Sequence, residues 1–245
     1  MTITLHTVVE RPELADAPGR STLHGVWPEF AKHDRTVNAY IGRAIDEHPE
    51  LQVIAWDDEA GDVVGEGNTV PVKWPGEPPP GGVEWSLRQR YEEGGGATTL
   101  CALQVMIAPE RQGRGLSATI LRRMAAAAGA AGLDALMAPV RPTLKPRYPL
   151  IPIERYVEWR RPDGELFDPW LRTHARVGAV IVGIASESML IEAPVAEWER
   201  WTQLAFPADG EYAVDGALVP VSVRDGVGTY VEPNVWMRHP AAPAA

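Results

Sequence analysis

The stretch Val105-Met106-Ile107-Ala108-Pro109-Glu110-Arg111-Gln112-Gly113-Arg114-Gly115-Leu116-Ser117 decides the fold. The residues from Thr98 to Ile107 are mostly apolar and predict a strand that is buried on both faces. A proline-containing bend follows, and a glycine turn leads directly into a predicted helix over 116–131, where apolar residues recur at helical spacing. Ala135–Val140 predicts the next strand. The unit is therefore a strand–helix–strand crossover.

The glycine turn has the features of an anion-binding site. Amides at the start of a helix lack partners within the helix, and the helix macrodipole is positive at that end, so phosphate oxygens bind there. Gly113 and Gly115 allow the backbone to approach a ligand closely. Arg111 and Arg114 add positive charge at the rim. The turn predicts a ligand that carries phosphate groups.

Two classes of ligand fit this turn. One is a dinucleotide, because Gly113-x-Gly115-x-x-Ala118 matches that fingerprint and Asp134 follows at about the expected distance of 20 residues. However, the fingerprint requires its first glycine almost immediately after the strand, and five residues from Ala108 to Gln112 intervene. The expected series of parallel βαβ units is also missing. Dinucleotide binding is the weaker prediction.

The other class is acyl-coenzyme A, because the whole stretch resembles the acyl-CoA site of the GCN5-related N-acetyltransferase (GNAT) superfamily. That site is a strand, a proline-containing bend and then Q/R-x-x-G-x-G/A at the start of a helix. Gln112-Gly113-Arg114-Gly115-Leu116-Ser117 matches it except at Ser117, which replaces glycine or alanine.

The resemblance extends over roughly residues 25–240 and implies an α/β (α+β) fold. In that fold a mixed, mostly antiparallel central sheet contains a splayed pair of strands and is flanked by helices. We expect an N-terminal arm with the first strand in 1–24, one acyltransferase domain in 25–240, and a disordered tail in 241–245. Two proline-rich inserts, 74–96 and 141–166, interrupt the domain.

The resemblance also implies the cosubstrate and the reaction. Acetyl-CoA or another acyl-CoA would place its diphosphate on the turn and its pantetheine along the preceding strand, and the amine of a small-molecule acceptor would attack the thioester directly. The residues that this arrangement assigns to the cofactor are Val105, Met106, Ile107, Gln112, Gly113, Arg114, Gly115, Leu116 and Ser117.

The general acid and base are less well marked. The superfamily often places a tyrosine acid four residues before a glycine, and this chain has His174 there, before Gly178. Histidine can serve as an acid, and it can equally be a packed side chain. Tyr148 and Tyr156 in the second insert are competing proton donors. Glu66, in the second strand of a predicted hairpin, is the leading candidate base, and Glu84, Glu154 and Glu158 in the two inserts are alternatives. For each of them a surface carboxylate is the ordinary interpretation.

The two inserts suggest an enclosed acceptor site. Trp85 and Tyr91 favour the interpretation of the first insert as a flap that packs on another part of the protein. The alternative interpretation is an ordinary loop. Trp85 and Trp159, one from each insert, are candidates for an apolar wall around the acceptor. These assignments make the acceptor larger or more enclosed than a simple free amine.

Composition excludes several other classes. The chain has 245 residues, with 33 acidic against 23 basic residues, and its net charge of -10 argues against nucleic-acid binding. A single cysteine, Cys101, excludes an internal disulfide and is expected in the core. The six histidines are scattered without a metal-binding spacing, so we expect no metal. No membrane-spanning run or secretory signal is evident, and a cytoplasmic location is expected.

An acyl-CoA-dependent N-acyltransferase, using acetyl-CoA, is therefore the leading hypothesis. The alternatives are a catalytically silent acyl-CoA-binding regulatory module and, less favoured, a dinucleotide-dependent oxidoreductase. A homodimer is left open.

Overall fold

The computed structural model describes residues 3–241, so residues 242–245 of the predicted tail lie outside the described residues. The strands are β1 (Ile3–Thr7), β2 (Val53–Asp57), β3 (Asp62–Val72), β4 (Thr99–Ile107), β5 (Ala135–Val140), β6 (Val180–Pro194), β7 (Gly210–Tyr212), β8 (Val221–Arg224) and β9 (Val227–Pro240). The helices are α1 (Pro18–Leu23), α2 (Arg35–Glu47), α3 (Val83–Arg88), α4 (Leu116–Ala130), α5 (Ile153–Tyr156), α6 (Pro169–Arg176) and α7 (Val195–Thr202).

One mixed sheet contains all of these strands in the order β1-β2-β3-β4-β5-β9-β8-β7, with β6 also paired to β9. The pairs are antiparallel except β4–β5, which is parallel. The predicted mixed, mostly antiparallel sheet is confirmed.

The parallel pair separates soon after it forms. β4 and β5 are paired only at Leu100–Leu136 and Cys101–Met137. The rest of β4 keeps its pairing with β3, and the rest of β5 keeps its pairing with β9. A gap therefore opens through the sheet between the C-terminal halves of β4 and β5, which is the splay that the resemblance implied.

A β-bulge in β4 determines which side chains face this gap. Asn68 of β3 is paired with Gln104, whereas Thr69 is paired with Ala102, so Leu103 is an extra residue in β4. Beyond the bulge, Gly67 faces α4, since a Cβ there would lie 2.7 Å from Ile120. Met106 is paired with Glu66, the neighbour of Gly67 on β3, and therefore faces the opposite side of the sheet.

Helices cover both faces. α4 lies against one face, where Ile120, Met124 and Ala128 are fully buried. α2 and α3 cover part of the other face with a second apolar cluster that includes Ala44 and Leu87.

The helix of the first insert, α3, packs into the core. Ser86 and Leu87 of α3 are fully buried, and Ser86 Oγ lies 2.9 Å from Cys101 Sγ in β4. Trp85 packs edge-on against Trp74 and Trp236. The apolar residues of this helix fill the sheet face next to α2, so the segment that Trp85 marks packs on the rest of the protein. Cys101 is buried, as expected.

Most predicted elements are confirmed with shifted ends. The signature helix, predicted over 116–131, spans Leu116–Ala130, and Asp168 caps α6 by accepting hydrogen bonds from the amides of Trp170 and Leu171. Strand β6 is a single long strand over Val180–Pro194. Helix α1 was not predicted. Within residues 3–241, no helix is both long and apolar enough to span a membrane.

Candidate acyl-CoA site

The glycine turn takes a backbone conformation that glycine adopts at little cost. Gly113 and Gly115 have φ angles of 73° and 81°, in the left-handed region, and a Cβ at either would meet no atom within 4 Å. Gly115 immediately precedes α4, so the first amides of this helix lie at the turn. The turn thus has the open backbone and the helix start that an anion site requires.

Two side chains fix the turn to the sheet. The Arg111 guanidinium lies 2.7 Å from Asp57 Oδ2 at the end of β2, and Gln112 Nε2 donates to the Ile107 carbonyl at 3.1 Å. Burial opposes ionisation of Asp57, but the Glu59 amide and Arg111 hold its pKa below its usual value. Arg111 is therefore an anchor for the turn, whereas the sequence placed it at the rim.

A cavity of about 460 Å³ occupies the gap between β4 and β5 and begins at this turn. It is lined from both faces of the sheet. Leu121 of α4 and Trp170 of α6 lie on one side. On the other side, Trp27 donates from its indole nitrogen to Met106 Sδ at 3.3 Å. The lining residues are Val26, Trp27, Pro28, Ala102, Leu103, Gln104, Val105, Met106, Ile107, Gln112, Gly113, Ser117, Leu121, Ala138, Pro139, Val140, Arg141, Thr143, Pro169, Trp170, Thr173 and His174. We call this cavity the cleft.

Most of the predicted cofactor residues lie along the cleft. Val105–Ile107, Gln112, Gly113 and Ser117 line it, and Gly115 and Leu116 form the start of α4 beside it. Arg114 is part of the same turn but is not among the lining residues.

His174 lines the cleft from α6 and is buried. Its Nδ1 lies 2.8 Å from Nε2 of His239, and its ring packs edge-on against Trp170. Burial, followed by the proximity of His239, holds the pKa of His174 well below its usual value, and burial lowers the pKa of His239 to about 4. Both imidazoles are therefore neutral at pH 7. Nε2 of His174 is buried and has no hydrogen-bond partner within residues 3–241.

Four other candidates lie outside the cleft lining. Tyr148 and Trp159 pack together with Tyr156 and Phe167 in an aromatic cluster of the second insert. Trp85 lies among the tryptophans described above. Glu66 is buried and paired with Arg20 at 2.8 Å. The structure thus brings His174 to the predicted cofactor residues. Glu66 lies directly across from Met106 in the β3–β4 pairing, whereas Tyr148, Trp85 and Trp159 lie away from the cleft lining.

Sequence reasoning missed several residues of the cleft. Trp27, Arg141 and Thr143 line it, and so does Gln104, which the bulge in β4 turns toward the face of Met106. Val26-Trp27-Pro28 and Arg141-Pro142-Thr143 are conspicuous in sequence, but no pattern connects two segments so far apart in the chain. Within residues 3–241, no group of three or more histidine, cysteine or acidic residues could hold a metal ion.

No protein-family model matches the sequence. The chain is, however, 33% identical to an arginine N-acetyltransferase, avaD, from Aspergillus versicolor, over 97% of this chain and 93% of that protein. The chain belongs to the GNAT superfamily. As an N-acetyltransferase of this superfamily, it uses a CoA thioester as cosubstrate.

Solved structures show the same GNAT fold. The loading GNATL domain of CurA from Lyngbya majuscula superposes with a TM-score of 0.65 at 20% identity, over 98% of both chains. A GNAT-like decarboxylase, GphF, in complex with isobutyryl-CoA has a TM-score of 0.55 at 19% identity, over 99% of this chain and 100% of that one. At these identities the similarity concerns the fold.

Proposed function

We propose that the protein transfers the acetyl group of acetyl-CoA to the amino group of a free amino acid, with arginine as the first acceptor to test. The observation that carries the proposal is the cleft between β4 and β5, which begins at the glycine turn and has His174 in its wall. The similarity to an arginine N-acetyltransferase supports arginine as the acceptor.

The cosubstrate is proposed to bind along β4. The amides at the start of α4 donate hydrogen bonds to the diphosphate oxygens of CoA, and Arg111 keeps the turn in place through Asp57. Beyond Cys101, β4 has no pairing with β5, so its edge is available to the amides of pantetheine. The thioester then lies in the cleft near His174.

In the reaction, the acceptor amine attacks the thioester carbonyl, a C–N bond forms, and the C–S bond breaks. The attacking nitrogen must lose a proton, and the departing thiolate must gain one. His174 Nε2 is proposed to mediate this exchange, because the imidazole is neutral and its Nδ1 is already bonded to His239. If Nδ1 carries the shared proton, Nε2 accepts a proton. If His239 carries it, Nε2 donates one.

The test is release of free CoA thiol from acetyl-CoA in the presence of a panel of amino acids and amines, with the acylated product identified by mass spectrometry. Arginine-dependent release supports the proposal. If none of the amines in the panel causes release of CoA thiol, the proposal is overturned. If acetyl-CoA still raises the melting temperature in that case, the protein is an acyl-CoA-binding module instead. Stabilisation by NAD and not by acetyl-CoA would overturn the CoA assignment itself.

A further inference from the structure

The acceptor end of the cleft contains a buried ion pair that the reaction described above does not use. Arg141, the residue that follows β5, is the one charged side chain of the cleft lining among the described residues. Its Nε donates to both carboxylate oxygens of Glu232 at 3.0 Å, and its Nη2 donates to the Gly216 carbonyl at 2.5 Å. The side chain of Arg141 is 17% exposed and that of Glu232 is 1% exposed.

Arg141 lies on the side of the cleft away from α4. Gly216, which it contacts, packs so closely on Pro28 that a Cβ there would lie 2.9 Å from Pro28 Cγ. Pro28 and the adjacent Trp27 line the cleft opposite α4. The glycine turn, where CoA is proposed to bind, leads into α4. Arg141 therefore lies on the opposite side of the cleft, which remains available to the acceptor.

The Glu232 carboxylate holds the guanidinium rigidly. Besides Arg141, Glu232 accepts hydrogen bonds from Tyr230 Oη at 2.7 Å and from Asn234 Nδ2 at 3.1 Å. Ser188 in turn donates to Asn234 Oδ1 at 2.7 Å. Burial disfavours the charge of Arg141, but Glu232 outweighs this effect and raises the pKa of Arg141. The guanidinium therefore stays charged and fixed in orientation.

One donor nitrogen of this guanidinium remains. Within residues 3–241, the hydrogen bonds of Arg141 to Glu232 and Gly216 use Nε and Nη2 and not Nη1. The guanidinium also interacts with Tyr230, whose hydroxyl donates to Glu232. Among the described residues, the cleft lining contains no aspartate or glutamate that could compete for it. A guanidinium that is held on one edge and open on another is suited to bind a carboxylate.

We infer that Arg141, positioned by Glu232, binds a carboxylate of the acceptor, so that the acceptor is an amine that also carries a carboxylate. The inference rests on the proposed function, since it deepens the description of the acceptor. A carboxylate at the far end of the acyl chain has the same chemistry, and the experiment must separate these two sources.

The experiment compares arginine with agmatine, which has the same guanidinium and a primary amine but no carboxylate. In the wild type, arginine is expected to have the lower KM. In the variant Arg141→Gln, the KM of arginine is expected to rise about 10- to 100-fold, the loss expected for a charge-assisted hydrogen bond, while that of agmatine changes little. Arg141→Lys, which keeps the charge but not the planar fork, is expected to lie between the two.

Arg172→Gln is the matched control. Arg172 is also largely buried, with 14% of its side chain exposed, and its guanidinium donates to the Leu166 and Phe167 carbonyls outside the cleft. This control should leave the ratio of the two KM values unchanged. Melting temperature and affinity for CoA, measured on each variant, separate an effect on the acceptor from a general loss of structure.

Three results would overturn the inference. The first is a wild type that does not prefer arginine to agmatine, which needs no variant. The second is an equal rise of both KM values in Arg141→Gln. The third is a loss of affinity in Arg141→Gln for succinyl-CoA as the donor, with no loss of affinity for arginine as the acceptor. The carboxylate that Arg141 binds would then belong to the acyl chain. Calorimetric binding of arginine and agmatine to the CoA-bound protein requires no turnover, so it tests Arg141 even if acetyl transfer itself fails.

Discussion

Nδ1 of His174 lies 2.8 Å from Nε2 of His239, and the two rings form a buried, neutral pair between α6 and β9 at the wall of the cleft. The pair combines one shared hydrogen bond with one buried nitrogen that has no partner in residues 3–241. Such an arrangement has consequences for both stability and activity.

The contribution of His239 to stability should fall as the pH is lowered from 7 to 5. An unfolded histidine takes up a proton near pH 6.5, whereas folded His239, with a pKa of about 4, remains neutral. The unfolded state therefore binds more protons in this window, and His239 alone should reduce the free energy of unfolding by about 2 kcal/mol. Urea denaturation of the wild type and of His239→Gln at both pH values measures this contribution of His239 to the free energy of unfolding.

The variant should show the shallower pH dependence. Asp34, whose pKa burial raises to about 7, acts in the opposite direction because its folded form binds the additional proton. It is present in both proteins, so the difference between them isolates the histidine. Parallel curves for wild type and variant would contradict the neutral pair.

Replacing His174 should reduce turnover more than cofactor binding. His174→Gln is expected to lower kcat by about 100-fold or more, since general acid–base groups contribute on this scale, and to leave the Kd for CoA nearly unchanged. His6→Gln, far from the cleft lining, serves as the control. Full activity in His174→Gln would make this residue a packing side chain.

The substitution Gly115→Glu should abolish binding of CoA. With φ at 81°, any side chain is strained there, and a glutamate would also place negative charge at the start of α4. Gly115→Ala measures the strain alone, so a larger loss of CoA affinity in Gly115→Glu isolates the charge effect. Equal affinities for the two variants, measured by calorimetry, would refute an anion site at this turn.

Arg111 and Asp57 should act as a unit. Removing either side chain releases the turn from the end of β2, so both Arg111→Gln and Asp57→Asn are expected to weaken CoA binding several-fold. The double variant should lose little more than either single one, because the pair is already broken. Additive losses of affinity would instead indicate that Arg111 contacts the cofactor directly.

Cys101 should report on the packing of the first insert. Burial raises the pKa of its thiol to about 12, and α3 covers it through Ser86. A thiol reagent should therefore fail to modify the native protein and react fully in denaturant. Rapid modification under native conditions would mean that the insert opens as a flap.

Local features of the cofactor site were predictable from the sequence. Gly113 and Gly115 mark a backbone conformation that other residues adopt only with strain, and apolar periodicity marks the helix that follows. Each of these signals is contained within a few neighbouring residues.

The acceptor side depends on partners distant in sequence. Arg141 and Glu232 are 91 residues apart, and His174 and His239 are 65 apart. The face on which Gln104 lies depends on a bulge of one residue in β4. The sequence predicted Trp85 and Trp159 beside the acceptor because large aromatic residues suit a pocket wall. Such rings pack equally well in a core, and the structure places both in aromatic clusters.

The gap between β4 and β5 is lined from both faces of the sheet, so under the proposed function the donor and the acceptor can occupy the cleft together from opposite faces. Neither substrate has to leave before the other arrives. Steady-state velocities measured against both concentrations should then give intersecting double-reciprocal lines, the signature of a ternary complex, rather than the parallel lines of a covalently acylated enzyme.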